Sequence, residues 1–384
     1  MIVCVAMDSF KGSLSQKQAG DAVRRGILRA VPDAEVRVCA MADGGEGTAE
    51  VLAAEAGAET VAVTVHGPLG DPATAHYAIV LQDRERLCVM EMAEAAGLTL
   101  VAPERRDIRS ASTFGVGEMI LDAVRRGCRR FLIGIGGSAT NDCGAGMLRA
   151  LGFSLLDGEG NACDGTCLSL PRIRQIVGNH VDPVLRSCTF SVACDVDNPL
   201  YGPRGCSAVY GPQKGAKAEE IASLDDAVRA FADIAKRTYP DADPHLPGSG
   251  AAGGIGFAFR TFLGASLLPG AAAVARETRL SEKVRGADLL ICGEGRIDGQ
   301  TAMGKAPVGA AAVAKEAGVP VVALCGSVGP DAHRVLDCGI DAYFPIIKEA
   351  MPLAEAMRYE AADAALADTA EQVIRLFGAC RKRN

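Results

Sequence analysis

The sequence lacks the features that mark membrane, nucleic-acid-binding and exported proteins. No apolar run reaches the ~18 residues that a membrane-spanning helix needs. No lysine or arginine run exceeds a few residues in a chain whose formal net charge is −7. The opening MIVCVAMDSFKG has neither the charged region nor the long apolar segment of a secretory signal. We therefore expect a cytoplasmic protein that binds neither membranes nor nucleic acid.

Several metal-binding and catalytic patterns are also missing. The 14 cysteines include no C-x-x-C pair, and the 5 histidines show no H-x-x-H spacing. Neither a disulfide framework nor a zinc site is therefore expected, and the cysteines are predicted to be mostly small buried residues. The absence of G-x-x-x-x-G-K-[ST] and of G-x-S-x-G excludes a P-loop and a nucleophile elbow.

What the 384-residue chain does contain is a repeated alternation of short apolar strands and helices near both ends. The first helix is indicated by the capping-box spacing of Ser15 and Gln18 and by the stop at Pro32. This alternation predicts an α/β fold with a doubly wound, mostly parallel, Rossmann-like sheet. The predicted strands are IVCVAM, EVRVCAM and TVAVTV near the start, and ADLLICG, VPVVALCG and IDAYFPI near the end.

The middle of the chain is different, because hairpin-like strands precede a glycine-rich loop and further helices. We predict a discontinuous outer domain, residues 1–66 and 284–384, with a second α/β domain of mixed sheet, residues 67–283, inserted in it. An alternative assigns the helix–strand–helix unit of residues 112–157 to the sheet of the outer domain. If IVCVAM and ADLLICG are neighbours, Asp8, Asp43 and Glu294 lie in one crevice at the point where the winding direction changes.

The glycine-rich loop GIGGSATNDCGAG, residues 134–146, follows a predicted strand and precedes a helix. GIGGSA satisfies G-x-G-x-x-A, and Asp157 follows the next apolar run, as a dinucleotide site requires. Against that interpretation, Asn141 and Asp142 lie near the first helical turn, where a carboxylate repels a pyrophosphate. Another phosphate, a carboxylate or a purely structural turn therefore stay open as interpretations.

Two acidic motifs follow the first two predicted strands. In DSFKG, Asp8 could accept a proton or hold a metal, and Lys11 could meet a phosphate as a point charge. In ADGGEGT, Asp43 and Glu46 flank two glycines, which suits Mg²⁺ or substrate hydroxyls. Each motif is equally compatible with a capped turn.

Two further charged loops occur later in the chain. In ACDVDNPLYGPRG, Asp195 and Asp197 lie two apart at the end of an apolar strand, which predicts that both face the same way. A second loop, GEGRIDGQTAMGKAP, carries both signs of charge before a helix that starts near Pro307, as expected of an anion clamp. Its charged residues are Glu294, Arg296, Asp298 and Lys305.

Eight motifs in the same order over nearly the whole chain resemble the bacterial glycerate kinase family, of the glucarate- and glyoxylate-pathway type. They are DSFKGSLS, MADGGEGT, GPLGDP, STFGVGEMI, GIGGSATNDCGAGML, CDVDNPLYGPRG, VYGPQKGA and GADLLICGEGRIDGQT. The resemblance implies a two-domain α/β enzyme that uses ATP to phosphorylate D-glycerate, at the 2-hydroxyl, to give 2-phosphoglycerate. Mg²⁺ is expected from the general needs of ATP chemistry.

The roles of individual residues are our own hypotheses, which the resemblance does not settle. The predicted catalytic residues are Asp195, Asp8, Lys11 and Arg296. Predicted to bind substrate or phosphate are Asp43, Glu46, Gly136, Gly137, Ser138, Thr140, Asn141, Glu294, Asp298 and Lys305. Asp195 and Asp197 are the predicted Mg²⁺ ligands.

The sequence leaves two rival functions open. An NAD(P)-dependent oxidoreductase acting on a small hydroxy acid would use GIGGSA and Asp157. A two-domain protein that only binds a small acid is the non-enzymatic alternative. The sequence leaves a monomer and a homodimer equally open.

Overall fold

The computed structural model describes residues 1–42, 58–82 and 84–381. The predictions for Asp43 and Glu46 therefore lie outside the described residues. The described strands are β1 Ile2–Met7, β2 Glu35–Ala40, β3 Glu59–His66, β4 Pro72–Gln82, β5 Glu85–Glu91, β6 Arg130–Gly134, β7 Ser154–Leu156, β8 Gln175–Val177, β9 Thr189–Ala193, β10 Ser266–Leu268, β11 Leu289–Ile297, β12 Val321–Val328 and β13 Ala342–Pro345. The described helices are α1 Gln16–Ala30, α2 Ala93–Ala96, α3 Phe114–Arg125, α4 Ala145–Ala150, α5 Cys206–Tyr210, α6 Ile221–Thr238, α7 Ala251–Leu263, α8 Gly270–Glu277, α9 Leu280–Val284, α10 Ala306–Glu316, α11 Leu353–Ala356 and α12 Tyr359–Arg381.

The chain forms two compact units, an outer one of Met1–Gly44 with Pro269–Asn384 and an inner one of Gly45–Leu268. The inner unit therefore begins at residue 45 and ends at residue 268, whereas the predicted insertion runs from residue 67 to residue 283. The predicted third strand of the outer domain, TVAVTV, is part of β3, which pairs antiparallel with β4 in the sheet of the inner unit. The reason is local: a short turn between two strands joins them most simply as a hairpin.

The outer unit is built on a five-stranded sheet in the order β13-β12-β11-β1-β2. All four strand pairs are parallel. The chain proceeds from β1 outward to β2 on one side and from β11 outward to β13 on the other. The prediction of a doubly wound parallel sheet is confirmed, and its winding direction changes between β1 and β11.

Helix α1 begins as its sequence predicts. The Ser15 hydroxyl accepts the Gln18 backbone amide at 3.3 Å, and the Gln18 side chain accepts the Ser15 amide at 2.8 Å. This reciprocal pair satisfies two amides that a helix start leaves open. The buried face of α1 packs against the long helix α12, and Gly26 lies at their contact.

The inner unit contains a six-stranded sheet in the order β10-β9-β6-β5-β4-β3. Strands β5, β6, β9 and β10 are parallel, whereas β4 runs antiparallel to both of its neighbours. The prediction of a mixed sheet is confirmed. The alternative that the 112–157 unit joins the first sheet is wrong, because β6 pairs with β5 and β9.

The cysteines match their predicted role. All 14 are free thiols; Cys194 and Cys338 are half-buried, Cys380 is exposed, and the others are buried. Within the described residues, no helix has the length and apolar character needed to cross a membrane.

We predict that Gly26→Ala lowers the free energy of unfolding by about 2 kcal/mol, because the added methyl overlaps the carbonyl oxygen of Ala367 on α12. Gly378→Ala, on α12, is the matched control. A methyl there meets no atom within 4 Å, and alanine favours a helix over glycine by about 1 kcal/mol. Urea denaturation measures both variants, and equal stability of the two would contradict the close packing of α1 on α12.

Candidate active site

A cavity of about 300 Å³ opens in the outer unit, beside the carboxyl ends of β1, β11, β12 and β13. Its polar lining includes Asp8, Ser9, Lys11, Ser13, Glu294, Arg296, Asp298, Lys305 and Ser327. Its apolar lining includes Phe10, Ile346, Ile347, Leu353, Ala356, Met357 and Ala362. Two motifs from opposite ends of the sequence thus meet in one cavity, and the expected proximity of Asp8 and Glu294 is confirmed.

The loop after β1 is held against β11. The amide of Asp8 donates to the carbonyl of Gly293 at 2.9 Å, which extends the strand pairing by one residue. The Asp8 carboxylate accepts the Ser9 amide at 2.6 Å and is buried. Phe10 and Leu14 then close a turn that leaves Lys11 exposed at the cavity.

Glu294 is the buried acid of this cavity. Its carboxylate accepts the Thr301 hydroxyl at 2.6 Å. Burial raises the pKa of Glu294 to about 7; the nearby Asp8 and Asp298 act in the same direction, and Thr301 and Lys305 oppose it. A carboxyl group with this pKa exchanges protons near neutral pH, as an acid–base group should.

The end of β11 and the loop before α10 supply two of the three cations of the cavity, Arg296 on the strand and Lys305 on the loop. Arg296 lies 3.5 Å from the Asp298 carboxylate, and Lys305 donates to the Gln300 side chain at 3.3 Å. Asp298 accepts the Gln300 amide at 2.9 Å, which shapes the turn. Lys305 occupies the residue before α10, where the helix dipole also favours an anion.

In the inner unit, the anion at the start of α4 is the chain's own carboxylate. Asp142 is fully buried and accepts the amides of Gly144 at 3.0 Å and Gly146 at 3.2 Å. It also accepts the amide and the hydroxyl of Thr113, each at 2.8 Å. Burial raises the pKa of Asp142, and these hydrogen bonds oppose the rise. The amides of Gly144 and Gly146 are therefore not available to bind a second anion at this helix start.

The polar side chains of the glycine-rich loop mostly hold the loop together. The hydroxyls of Ser138 and Thr140 lie 3.0 Å apart, and Asn141 donates to Ser207 at 2.9 Å. Thr140 and Asn141 have no exposed surface and support the loop from within, and their binding of substrate or phosphate stays a prediction. Gly136 and Gly137 remain exposed, and the space in front of Gly136 is open.

Lys214 is a residue that the predicted site omits. It is only 3 % exposed, and its ammonium donates to the Thr140 carbonyl at 2.7 Å and to the Ser138 hydroxyl at 3.3 Å. Burial lowers the pKa of Lys214 to about 8. No carboxylate among the described residues forms an ion pair with it. In the sequence, the position of this lysine between the two glycines of YGPQKGA is the feature that could have indicated a functional role.

The paired acids after β9 do not share a strand face. Because β9 ends at Ala193, Asp195 and Asp197 follow the strand and the alternation argument does not apply. Both oxygens of Asp197 accept Arg204 at 3.0 Å, whereas Asp195 is exposed at the loop. In the described part of the chain, no group of three or more His, Cys, Asp or Glu side chains is arranged to hold a metal.

Comparison with known proteins decides the family. The family model for the glycerate kinase family matches residues 3–378. The chain belongs to the glycerate kinase family. A glycerate kinase from Halalkalibacterium halodurans is 43 % identical over 93 % of each chain, and a glycerate 2-kinase from Escherichia coli K12 is 42 % identical over 93 % of each. A crystal structure from Salmonella typhimurium LT2, described as glycerate kinase 2, superposes with a TM-score of 0.85 at 39 % identity, covering 100 % of this chain and 99 % of that one.

Family membership and geometry together remove the oxidoreductase interpretation of GIGGSA. A dinucleotide pyrophosphate binds at the start of the helix after such a loop. In this glycerate kinase family member the Asp142 carboxylate already accepts those amides. The match to G-x-G-x-x-A therefore reflects a tight turn and not a dinucleotide site.

We predict that Glu294→Gln raises the free energy of unfolding by about 2 kcal/mol at pH 8 and leaves it nearly unchanged at pH 4. Between its ordinary pKa of 4.5 and about 7, the unfolded chain loses the Glu294 proton while the folded chain keeps it. The contribution of the protonated Glu294 side chain to the free energy of unfolding is therefore lost as the pH rises from 4.5 to about 7. Denaturation at several pH values measures the effect, and glutamine still accepts the Thr301 hydroxyl.

The exposed Glu316→Gln variant, at the end of α10, is the control and should show no such pH dependence. A Glu294→Gln variant that gains nothing over wild type at pH 8 would mean that the carboxyl group ionises normally.

Proposed function

We propose that this chain transfers the γ-phosphoryl group of ATP to D-glycerate, at the 2-hydroxyl, to give 2-phosphoglycerate. The observation that carries the proposal is the convergence of Lys11, Arg296 and Lys305 on one cavity at the winding switch of a parallel sheet. Family membership supports the reaction, and the name of the Escherichia coli relative, glycerate 2-kinase, supports the 2-hydroxyl. A cytoplasmic location, and a monomer or homodimer, stay predictions.

The outer cavity suits the phosphates of the donor. Phosphoryl transfer needs in-line positioning and neutralisation of charge on the transferred group more than it needs covalent chemistry from the protein. Lys11 and Lys305 act as point charges, and Arg296 offers a planar fork of donors. In our proposal these three side chains hold the polyphosphate, and Asp298 orients Arg296.

The glycine-rich loop of the inner unit suits the small acceptor acid. Gly136 and Gly137 present exposed backbone, and open space lies in front of Gly136. Successive backbone amides in such a turn form a concave site for a carboxylate. Lys214 lies beneath the loop, holds Ser138 and Thr140 in place and adds a positive charge. We propose that this loop binds the carboxylate of glycerate.

Asp195 is the best candidate for Mg²⁺ or for the proton of the reacting hydroxyl. Mg²⁺ in phosphoryl-transfer sites commonly takes one or two carboxylates together with substrate phosphates, so a single exposed carboxylate suits it. Asp197 fits less well, since Arg204 occupies both of its oxygens. When bound, the metal would neutralise phosphate charge. Asp8 shares the acid–base work in our proposal.

The reaction is tested by supplying ATP, Mg²⁺ and D-glycerate and coupling the product to enolase, with and without phosphoglycerate mutase. Signal without the mutase identifies 2-phosphoglycerate. Signal only with the mutase moves the transfer to the 3-hydroxyl, and no ATP consumption with glycerate would overturn the proposal.

We predict that Asp195→Asn lowers kcat by about 100-fold or more, because the variant loses a group that holds metal or accepts a proton. Asp197→Asn is the matched control and should stay within about threefold, since it removes only an exposed ion pair. Partial recovery of Asp195→Asn at high Mg²⁺ identifies a metal ligand. A lost acidic limb of the pH–rate profile identifies a base. Turnover within threefold of wild type removes Asp195 from both roles.

We predict that Lys214→Met raises the KM for glycerate about tenfold or more, because the loop loses the ammonium that bridges Ser138 and Thr140. Lys217→Met, an exposed lysine three residues further on, should leave the KM unchanged. Steady-state kinetics with each substrate varied measures both variants. An equal effect of the two would show that Lys214 plays no part in acceptor binding.

A further inference from the structure

We propose that the apolar half of the outer cavity binds the adenine base of the phosphoryl donor. This half consists of Phe10, Ile346, Ile347, Leu353, Ala356 and Met357. The inference rests on the proposed function, because it places one part of the donor whose phosphates meet the cations of the same cavity.

Three of these side chains are large, apolar and exposed on the surface of the unit. Leu353 is 70 % exposed, Ile347 38 % and Met357 36 %. Exposed apolar side chains that converge on one cavity mark a ligand or partner site more often than side chains scattered singly. A flat ring laid against them removes apolar surface from water, which stabilises binding.

Only one of the two substrates has an apolar surface to place there. D-glycerate has three carbons, each bearing oxygen, so it gains nothing from leucine, isoleucine and methionine side chains. The adenine ring of ATP is planar and largely apolar on both faces. The volume of about 300 Å³ also lies within the range of pockets for small molecules.

One cavity offers both kinds of surface that a nucleotide needs, cationic and apolar. Lys11, Arg296 and Lys305 line it together with the apolar half, so one ligand can meet both. Ser13 also lines the cavity, and its buried hydroxyl makes no hydrogen bond with any described residue. A buried hydroxyl without a partner costs free energy, which a polar atom of the bound nucleoside would recover.

The walls of the apolar half belong to elements that already contact each other. Gly12, after β1, has a positive φ of 79°, and a Cβ there would lie 2.8 Å from the end of Met357. The loop that carries Lys11 therefore packs directly beside the segment after α11. A base bound there is held by the same loop that meets the phosphates.

The test uses the double variant Leu353→Ala, Met357→Ala, with Leu376→Ala as control. Leu376 is 60 % exposed on α12 and does not line the cavity. We expect the KM for ATP to rise about tenfold in the double variant, with the KM for glycerate within twofold and kcat within threefold. Calorimetry should show a matching loss of affinity for ADP and unchanged affinity for inorganic pyrophosphate, which has no base.

An unchanged affinity for ADP in the double variant overturns the adenine site, as does a rise in the KM for glycerate alone. Equal loss of affinity for ADP and pyrophosphate also overturns it, because the apolar half would then act on the phosphates. Failure of the wild type to phosphorylate glycerate overturns the proposed acceptor instead. Weakened ADP binding in the double variant would still support the adenine site in that case.

Discussion

The parallel pairing of β1 with β11 is the interaction on which the outer unit depends. It joins strands from opposite ends of the sequence and extends past the strand end through the Asp8 amide and the Gly293 carbonyl. Because the sheet winds away from this pair in both directions, the two loops that follow it are not covered by a crossover helix. The cavity, its cations and the burial of Glu294 all follow from that one arrangement.

A second buried interaction organises the glycine-rich loop. Asp142 accepts the amides that open α4, so the helix start that such loops usually offer to a phosphate is already satisfied. What the loop leaves open is the exposed backbone at Gly136 and Gly137, supported from below by Lys214. The same sequence pattern that favours a dinucleotide site here forms a tight turn with exposed backbone, and it is this backbone that we propose binds the small acid.

The sequence predicts well what local patterns and the general winding rules of parallel sheets determine. The capping box of α1, the parallel outer sheet, the mixed inner sheet and the meeting of Asp8 with Glu294 are all confirmed. It predicts poorly which individual side chains contact one another across distant segments. The burial of Thr140 and Asn141 follows from contacts with Lys214 and Ser207, which lie far along the chain. The end of β9 at Ala193 likewise decides the geometry of Asp195, and an apolar run does not mark that end.

The other charges of the outer cavity give a physical reason for the buried Glu294, although its burial lowers stability. Three cations and three acids line it, and an anionic ligand gains from the cations only where the acids are paired or neutral. Asp298 is paired with Arg296, and Asp8 bonds a backbone amide. Glu294 has a pKa raised to about 7, so it is only partly ionised at neutral pH. Its burial lowers stability as the pH rises, a common compromise at functional sites, and in our proposal it reduces the negative charge that the phosphates of ATP meet.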